Sequence, residues 1–422
     1  MQNRSALIPM SIIGVLFFIF GFVTWLNGSL IPFLKLICDL NEFQALFVTF
    51  AFYIAYTVMA LPMAYVLEKT GYKNGMALGL GVMAIGALLF IPAAQSASFV
   101  FFLTALFTLG TGLTILQTAS NPYVVCIGPI ESAAMRISIM GIINKGAGVL
   151  APLLFSAFIF SDIGFGENLT ADTKEALASK LITPYIVMAL MLSALIALVK
   201  FSSLPELEFQ KDSQSQEKKS ILEFPRVVLG AAAIFFYVGI EVIAGDTIGL
   251  YGQHLGVENY TSLTSFTMIF MVAGYAVGIT FIPKYLSQQQ ALIGSALFGI
   301  LFLLGVVFSS QSHGVSEVLW GWSGIRTLPN TVTFVALLGF ANALVWPTIW
   351  PLALEGLGKY TAQGSALLIM AIAGGAILPL IFGKIAQVSS DMQTTYLLGT
   401  LCYAFILFYA LKGHKISSWR RA

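Results

Sequence analysis

The chain alternates between long apolar runs and short polar breaks. A helix that crosses a bilayer needs roughly 20 mostly apolar residues. Twelve runs of that kind are present, at about 8–34, 43–67, 76–95, 98–126, 135–161, 182–200, 228–253, 262–283, 289–309, 331–354, 361–386 and 393–412. They are too long for barrel strands and lack the alternation such strands need, so the pattern predicts helices. The longest internal polar stretch, Phe201 to Arg226, is rich in Ser, Gln and charge and reads as a solvated linker. It divides the chain into a six-helix bundle over 1–200, a linker over 201–226 and a second six-helix bundle over 227–422. The fold class predicted is an all-α polytopic membrane protein.

The two halves repeat. Phe17-Phe18-Ile19-Phe20-Gly21 in the first helix is matched by Phe235-Phe236-Tyr237-Val238-Gly239 in the seventh. Gly148-Val149-Leu150-Ala151-Pro152-Leu153 in the fifth is matched by Gly375-Ala376-Ile377-Leu378-Pro379-Leu380 in the eleventh. Pseudo-symmetric halves around a central cavity are the architecture of alternating-access transporters.

Composition agrees. The chain is 58% hydrophobic and only 9% charged, against about 25% charged for soluble proteins. No basic run points to nucleic acid. Cys38, Cys126 and Cys402 are far apart, have no metal-binding spacing, and read as small apolar residues. No phosphate-cradling GxxxxGK[ST] pattern and no nucleophile–base set appears, so neither ATP drive nor enzymatic chemistry is expected. Lys and Arg set the orientation. With the N-terminus inside, Lys69, Lys73, Arg136, Lys200, Lys211, Lys218, Lys219, Arg226, Lys284 and Lys359 fall on the inner face with both termini, and Lys35, Lys174, Lys180, Arg326 and Lys384 fall outside. The expectation is a multi-pass protein of the plasma (inner) membrane, its first span uncleaved and both termini in the cytoplasm.

Candidate chemistry centres on the seventh helix. Ile234 to Gln253 is long enough to span, yet holds Glu241 and Asp246. An Asp in hydrocarbon costs at least about 2.5–3.5 kcal/mol, so these acids should face protein or a water-filled cavity. They lie about 140° apart around the helix and need not share a task. In the register of the repeat, Asp246 is the counterpart of Gly28, Thr247 of Ser29 and Gly245 of Asn27. Asp246 is the candidate cation site. It would bind Na⁺ with a Thr247 hydroxyl and carbonyls near Gly245, since hard cations favour oxygen, or else hold a proton.

Other spans add polar groups. Gln117 and Asn121 share a face of the fourth helix, and paired amides suit a polyol because each both donates and accepts. Small polar residues also pack helices together, which is the competing use. Asn144 and Lys145 interrupt the fifth span. Lys145 is either a counter-charge for Glu241 or Asp246, or a cavity-facing donor. Asn342 precedes Trp346-Pro347 and Trp350-Pro351 in the tenth helix, which predicts a bend. Trp346 is the deeper ligand candidate, and Trp350 fits an interface anchor, as do Trp320 and Trp322 in an outer loop.

These residues resemble those of a known family. FFIFGFVTWLNGSLIPFLK (17–35), NEFQALFVTFAFYIAY (41–56), LQTASNPYV (116–124), FFYVGIE (235–241) and WPTIWPLALEGLG (346–358) are similar to the fucose–galactose–glucose symporters of the major facilitator superfamily, and the likeness covers essentially the whole chain. It implies alternating-access uptake of a glucose- or galactose-type hexose with Na⁺ or H⁺, by a monomer with no bound cofactor. A branch taking N-acetylglucosamine is similar too. The fucose branch carries an acid where this chain has Gly28, and Glu where it has Gln117. The Gln and Glu241 resemble the glucose/galactose branch. Where Lys145 stands, the family has a small polar residue. Asp246 is thus the candidate for a coupling charge moved from the first helix to the seventh. Taken with the reading of the spans, the candidates are Asn27, Gln117, Asn121, Asn144, Lys145, Glu241, Asn342 and Trp346 for the sugar, and Asp246, Glu241 and Thr247 for the cation.

Overall fold

The computed structural model describes residues 2–127, 133–159, 170–205, 220–282, 284–357 and 360–419. Among them are twelve helices long and apolar enough to cross a membrane: Ile8–Ile37, Glu42–Met63, Tyr72–Ser96, Phe99–Asn121, Arg136–Ile159, Asp172–Phe201, Pro225–His254, Tyr260–Phe281, Gln288–Phe308, Asn330–Leu354, Gln363–Ser389 and Met392–Lys415. They are numbered here as spans 1 to 12. No strand occurs among the described residues, as expected where each backbone N–H must be satisfied within its own helix. An even number of spans puts both chain ends on one face, called here the terminal face. The other is the far face. Of the expected linker, 206–219 lies outside the described residues.

Two boundaries differ from the apolar pattern. Span 3 starts at Tyr72 because the chain reverses through one residue, Gly71, whose φ of 79° suits a residue without a Cβ. Lys73 is therefore inside the helix, where its ammonium reaches the Ser202 carbonyl at 2.7 Å. Span 6 begins early because a separate short helix, Ala171–Ser179, leads into Ile182–Phe201. Span 10 breaks at Ala343 and Leu344, between Asn330–Asn342 and Val345–Leu354. Pro347 lacks the N–H that would bond the Ala343 carbonyl, so the expected bend is an interruption.

The halves are built alike. In the first, span 1 packs on span 5, span 2 on span 4, and span 3 on spans 4 and 6. In the second, span 7 packs on span 11, span 8 on span 10, and span 9 on spans 10 and 12. Between halves, span 5 meets span 8 and span 2 meets span 11, while the far-face ends of spans 1 and 7 cross. Glycines set these distances. A Cβ on Gly21 would collide with the Asn144 carbonyl, and one on Gly374 with the Phe235 carbonyl. These are the span 1–5 and span 7–11 crossings, and small residues let membrane helices approach closely.

We expect Gly21→Ala and Gly374→Ala each to lower the thermal midpoint in detergent, by an overpacking cost of roughly 1–3 kcal/mol. Gly146→Ala, where an added Cβ meets nothing within 4 Å, should leave it unchanged. Equal midpoints for all three would refute this account of the crossings.

Candidate functional site

The polar residues predicted from spans 1, 5 and 7 meet on the seam between the halves. Lys145 and Glu241 are buried, and the Lys145 ammonium donates to Glu241 Oε1 at 2.8 Å. The same ammonium lies 4.3 Å from the centre of the Trp25 ring, whose negative face attracts a cation. Lys145 is thus the counter-charge of Glu241 rather than of Asp246. Tyr237, Tyr275 and Tyr403 lie within electrostatic range of the Glu241 carboxylate. Tyr403 in turn donates to Asn342 Oδ1 at 2.7 Å.

Asp246 has different surroundings. It is fully buried and its Oδ2 accepts a hydrogen bond from the Thr49 hydroxyl at 3.2 Å, across the seam. Its Oδ1 has no hydrogen-bond partner among the described residues. No described Lys, Arg or His forms an ion pair with it. Thr247, expected beside it, points elsewhere: its hydroxyl donates to the Ile243 carbonyl at 2.6 Å and shares a 2.8 Å bond with the Tyr396 hydroxyl. The Gly245 carbonyl is engaged by the Thr264 hydroxyl at 2.7 Å. The oxygen set imagined around Na⁺ from sequence is therefore not assembled, because both oxygens are turned into helix packing.

Gly28 explains how the seam closes here. A Cβ at that position would collide with the Thr264 hydroxyl and lie 2.9 Å from the Gly245 carbonyl, and one at Gly249 would lie 2.9 Å from the Gly28 carbonyl. The segments Asn27-Gly28-Ser29 and Gly245-Asp246-Thr247 thus face each other at the crossing, with no room for an acid at position 28 in this conformation. Beside them the halves are stitched together. Ser29 donates to the Thr261 carbonyl, Thr261 to Ser156 at 3.1 Å, and Ser265 to the Val149 carbonyl at 2.7 Å. At the far face Glu42 meets Lys35 at 3.6 Å and His254, from the other half, at 3.3 Å.

Asn27 and Asn342 are buried, and each side-chain amide nitrogen, like the indole nitrogen of Trp25, has no hydrogen-bond partner among the described residues. Gln117 is half-buried and donates to the Tyr56 hydroxyl at 3.0 Å. Asn121 is half-buried one turn on. Asn144 donates to the Phe17 carbonyl at 3.3 Å, across the span 1–5 crossing. Trp346 stacks on Trp350 with ring centres 5.2 Å apart and stands 6.3 Å from Tyr237. Trp350 is therefore packed on its neighbour rather than standing alone as an anchor. Trp320 also departs from expectation. It is buried against Phe266 and Phe270, while Trp322 is 84% exposed.

Sequence reasoning missed the tyrosines and all of span 2. Thr49, Tyr53 and Tyr56 recur at the spacing of one helix face. Thr49 touches Asp246, Tyr53 lies within electrostatic range of both acids, and Tyr56 holds Gln117. That polar stripe in an apolar span was the available signal. The thiol of Cys38, at the end of span 1, is pushed up to about 11 by burial first and then by Asp39, so it stays protonated and unreactive at neutral pH.

The sequence matches the model of the Major Facilitator Superfamily over residues 13–379. The chain belongs to the major facilitator superfamily. It is 35% identical to a glucose/galactose transporter of Brucella abortus, over 95% of this chain and 93% of that one. It is 34% identical to a putative glucose/galactose transporter of Helicobacter pylori, covering 98% and 99%. An L-fucose-proton symporter of Escherichia coli is 27% identical, covering 97% and 94%. Within the superfamily this facilitator therefore belongs to the fucose–galactose–glucose symporter family, a family of transporters and not of enzymes. The crystal structure of the Escherichia coli fucose:proton symporter superposes with a TM-score of 0.72 at 24% identity, covering 96% and 98%. A D-xylose-proton symporter gives 0.70 at 13% identity, covering 97% and 98%. These two likenesses establish the fold.

Removing one member of a buried ion pair leaves an uncompensated charge and costs roughly 3–5 kcal/mol. Lys145→Met in this facilitator should accordingly show a marked fall in thermal midpoint. The double variant Lys145→Met/Glu241→Gln, which removes both charges, should recover part of it. Detergent unfolding curves for wild type, single and double variants decide the matter, and a double variant less stable than the single would contradict the pairing.

Proposed function

We propose that this facilitator imports a hexose of glucose/galactose type by symport with protons through alternating access. One observation carries the coupling half of this reading. Lys145 neutralises Glu241, so Asp246 is the buried acid of the seam that has no cationic partner among the described residues. Burying a bare carboxylate costs several kcal/mol. A proton or a metal cation must therefore arrive with closure. Na⁺ would need several oxygens around it, and the Gly245 carbonyl and Thr247 hydroxyl are committed elsewhere. A proton needs only the carboxyl group, and proton symport is what the fucose and xylose relatives are named for.

The sugar half rests on the buried polar groups. Asn27, Asn342 and Trp25 offer donors that have no hydrogen-bond partner among the described residues, the kind that sugar hydroxyls satisfy. Tyr237 and Tyr403 supply aromatic rings near Glu241, and Trp346 stands next to Tyr237. The hexose class follows the names of the glucose/galactose relatives. An exporter of apolar compounds would not need so many amides in one place. In our reading the protein works as a monomer in the inner membrane with both termini in the cytoplasm, an orientation supported by the excess of Lys and Arg on the terminal face. The far face, closed here, is then the outer one.

Flux in proteoliposomes tests this. With no Na⁺ present, an inward proton gradient should drive accumulation of glucose or galactose above the equilibrium level. Asp246→Asn should abolish that accumulation while leaving sugar exchange down its own gradient. Uptake that requires Na⁺ and ignores the pH gradient would overturn proton coupling, and full accumulation by Asp246→Asn would remove Asp246 from it. A panel including N-acetylglucosamine and fucose checks the sugar class, which fails if glucose and galactose are not transported.

A further inference from the structure

We propose that the connection between spans 9 and 10 is a membrane-interface anchor, whose Val318, Leu319, Trp322 and Ile325 seat in the lipid of the far-face leaflet. The inference rests on the twelve spans alone and is independent of the cargo and the coupling ion. The sequence places Trp320 and Trp322 in a loop, and the structure folds that loop into a unit of its own. Gly314–Trp320 is a short helix and Gly321–Ser323 a 3-10 turn. The Ser316 hydroxyl is buried. It donates to the Leu328 carbonyl at 2.7 Å and accepts from the Leu328 N–H at 2.9 Å. Asn330, the first residue of span 10, accepts from the Val315 N–H at 2.8 Å and donates to the Ser312 hydroxyl at 2.9 Å. Both ends of the short helix are therefore tied to the start of span 10.

Trp320 sets the height of this unit. Its ring packs on Phe266 and Phe270 of span 8, with centres 5.5 and 6.1 Å apart. Phe270 lies six residues into the helix that begins at Thr264, about 9 Å along its axis at 1.5 Å per residue. The loop thus folds down beside span 8 rather than standing above it. Ile269, between those two rings in sequence, is exposed and belongs to the lipid-facing surface of the span. The short helix turns a matching surface outward. Ser316 and Trp320 are its buried side, and Val318, opposite them, is 82% exposed. At 100° per residue, Leu319 and Glu317 fall on opposite flanks of Val318, about 160° apart. One flank is therefore apolar and the other acidic, the pattern of a helix lying in the plane of a membrane surface. Beyond the helix, Trp322 and Ile325 are exposed as well. The Trp322 indole N–H donates to the Leu319 carbonyl at 3.2 Å, so its exposed ring carries no unmet donor. Adjoining exposed apolar side chains on a braced loop mark a surface that meets something other than water. The boundary between headgroups and acyl chains is that surface here, because the loop already stands at its level and Trp favours it. The charged residues nearby, Arg326 and Glu258, pair with each other.

Spin labels in lipid vesicles test this. In a chain carrying Cys38→Ala, Cys126→Ala and Cys402→Ala, a nitroxide is attached through Val318→Cys, Leu319→Cys or Gln311→Cys. Its depth is read from the ratio of collisions with oxygen, which enters lipid, to collisions with a water-soluble nickel chelate. Labels at 318 and 319 should lie about 5–10 Å below the headgroup surface, the depth of an interfacial helix. The label at Gln311, exposed in the polar start of the loop, should lie in water. Equal accessibility at all three positions would overturn the proposal. So would labels at 318 and 319 shielded from both reagents, since a protein would then be covering this surface. Should the cysteine-free chain fail to fold, fluorescence of the native chain carries the comparison. In phosphatidylcholine vesicles brominated near the headgroup end of the acyl chains, wild type should lose a larger fraction of its emission than Trp322→Phe. Equal fractional quenching of the two overturns the anchor.

Discussion

Lys145 and Glu241 come from opposite halves of the chain and meet at 2.8 Å in a buried, low-dielectric seam. Neither charge could be held there alone, since each would cost several kcal/mol to desolvate. The pair joins spans 5 and 7, lays the Lys145 ammonium over Trp25 of span 1 and fixes Glu241 among tyrosines. It also sorts the two acids of span 7. One is balanced from within the protein. The other, Asp246, has no cationic partner among the described residues, and this asymmetry is why we propose it for the travelling cation.

The packing around that pair is a repeated design. Spans 1 and 5 cross as spans 7 and 11 do, each crossing made tight by a glycine under a carbonyl of its neighbour. Where spans 1 and 7 face each other the glycines are Gly28, Gly245 and Gly249, and beside them hydroxyls join span 8 to spans 1 and 5 of the other half. Such contacts are weak one by one. That suits a seam that must open and close, because each contact can be exchanged for water without a large penalty. The closed far face and the buried Asp246 are then two aspects of one arrangement: the acid is dry because the halves have met.

Much of this was legible in the residues. Runs of apolar sequence determined the twelve spans, since lipid admits nothing but long self-satisfied helices or closed barrels. The matched Phe-rich and Gly-Pro segments determined that the halves correspond. Two acids in span 7 marked the centre, because charge in a membrane must be answered by something. What the residues could not determine was the answer. Lys145 fitted either acid equally well, and only the packing of span 5 against span 7 assigned it to Glu241. Thr247 sat next to Asp246 in the chain, but the helix turns its hydroxyl toward Tyr396. Thr49, 197 positions away, was invisible as a partner. Hydropathy is a property of each residue and its neighbours along the chain, so the sequence by itself determined the elements and their repetition. Compensation of a buried charge depends on distances of a few ångströms between residues from different halves, and only the tertiary structure decided those.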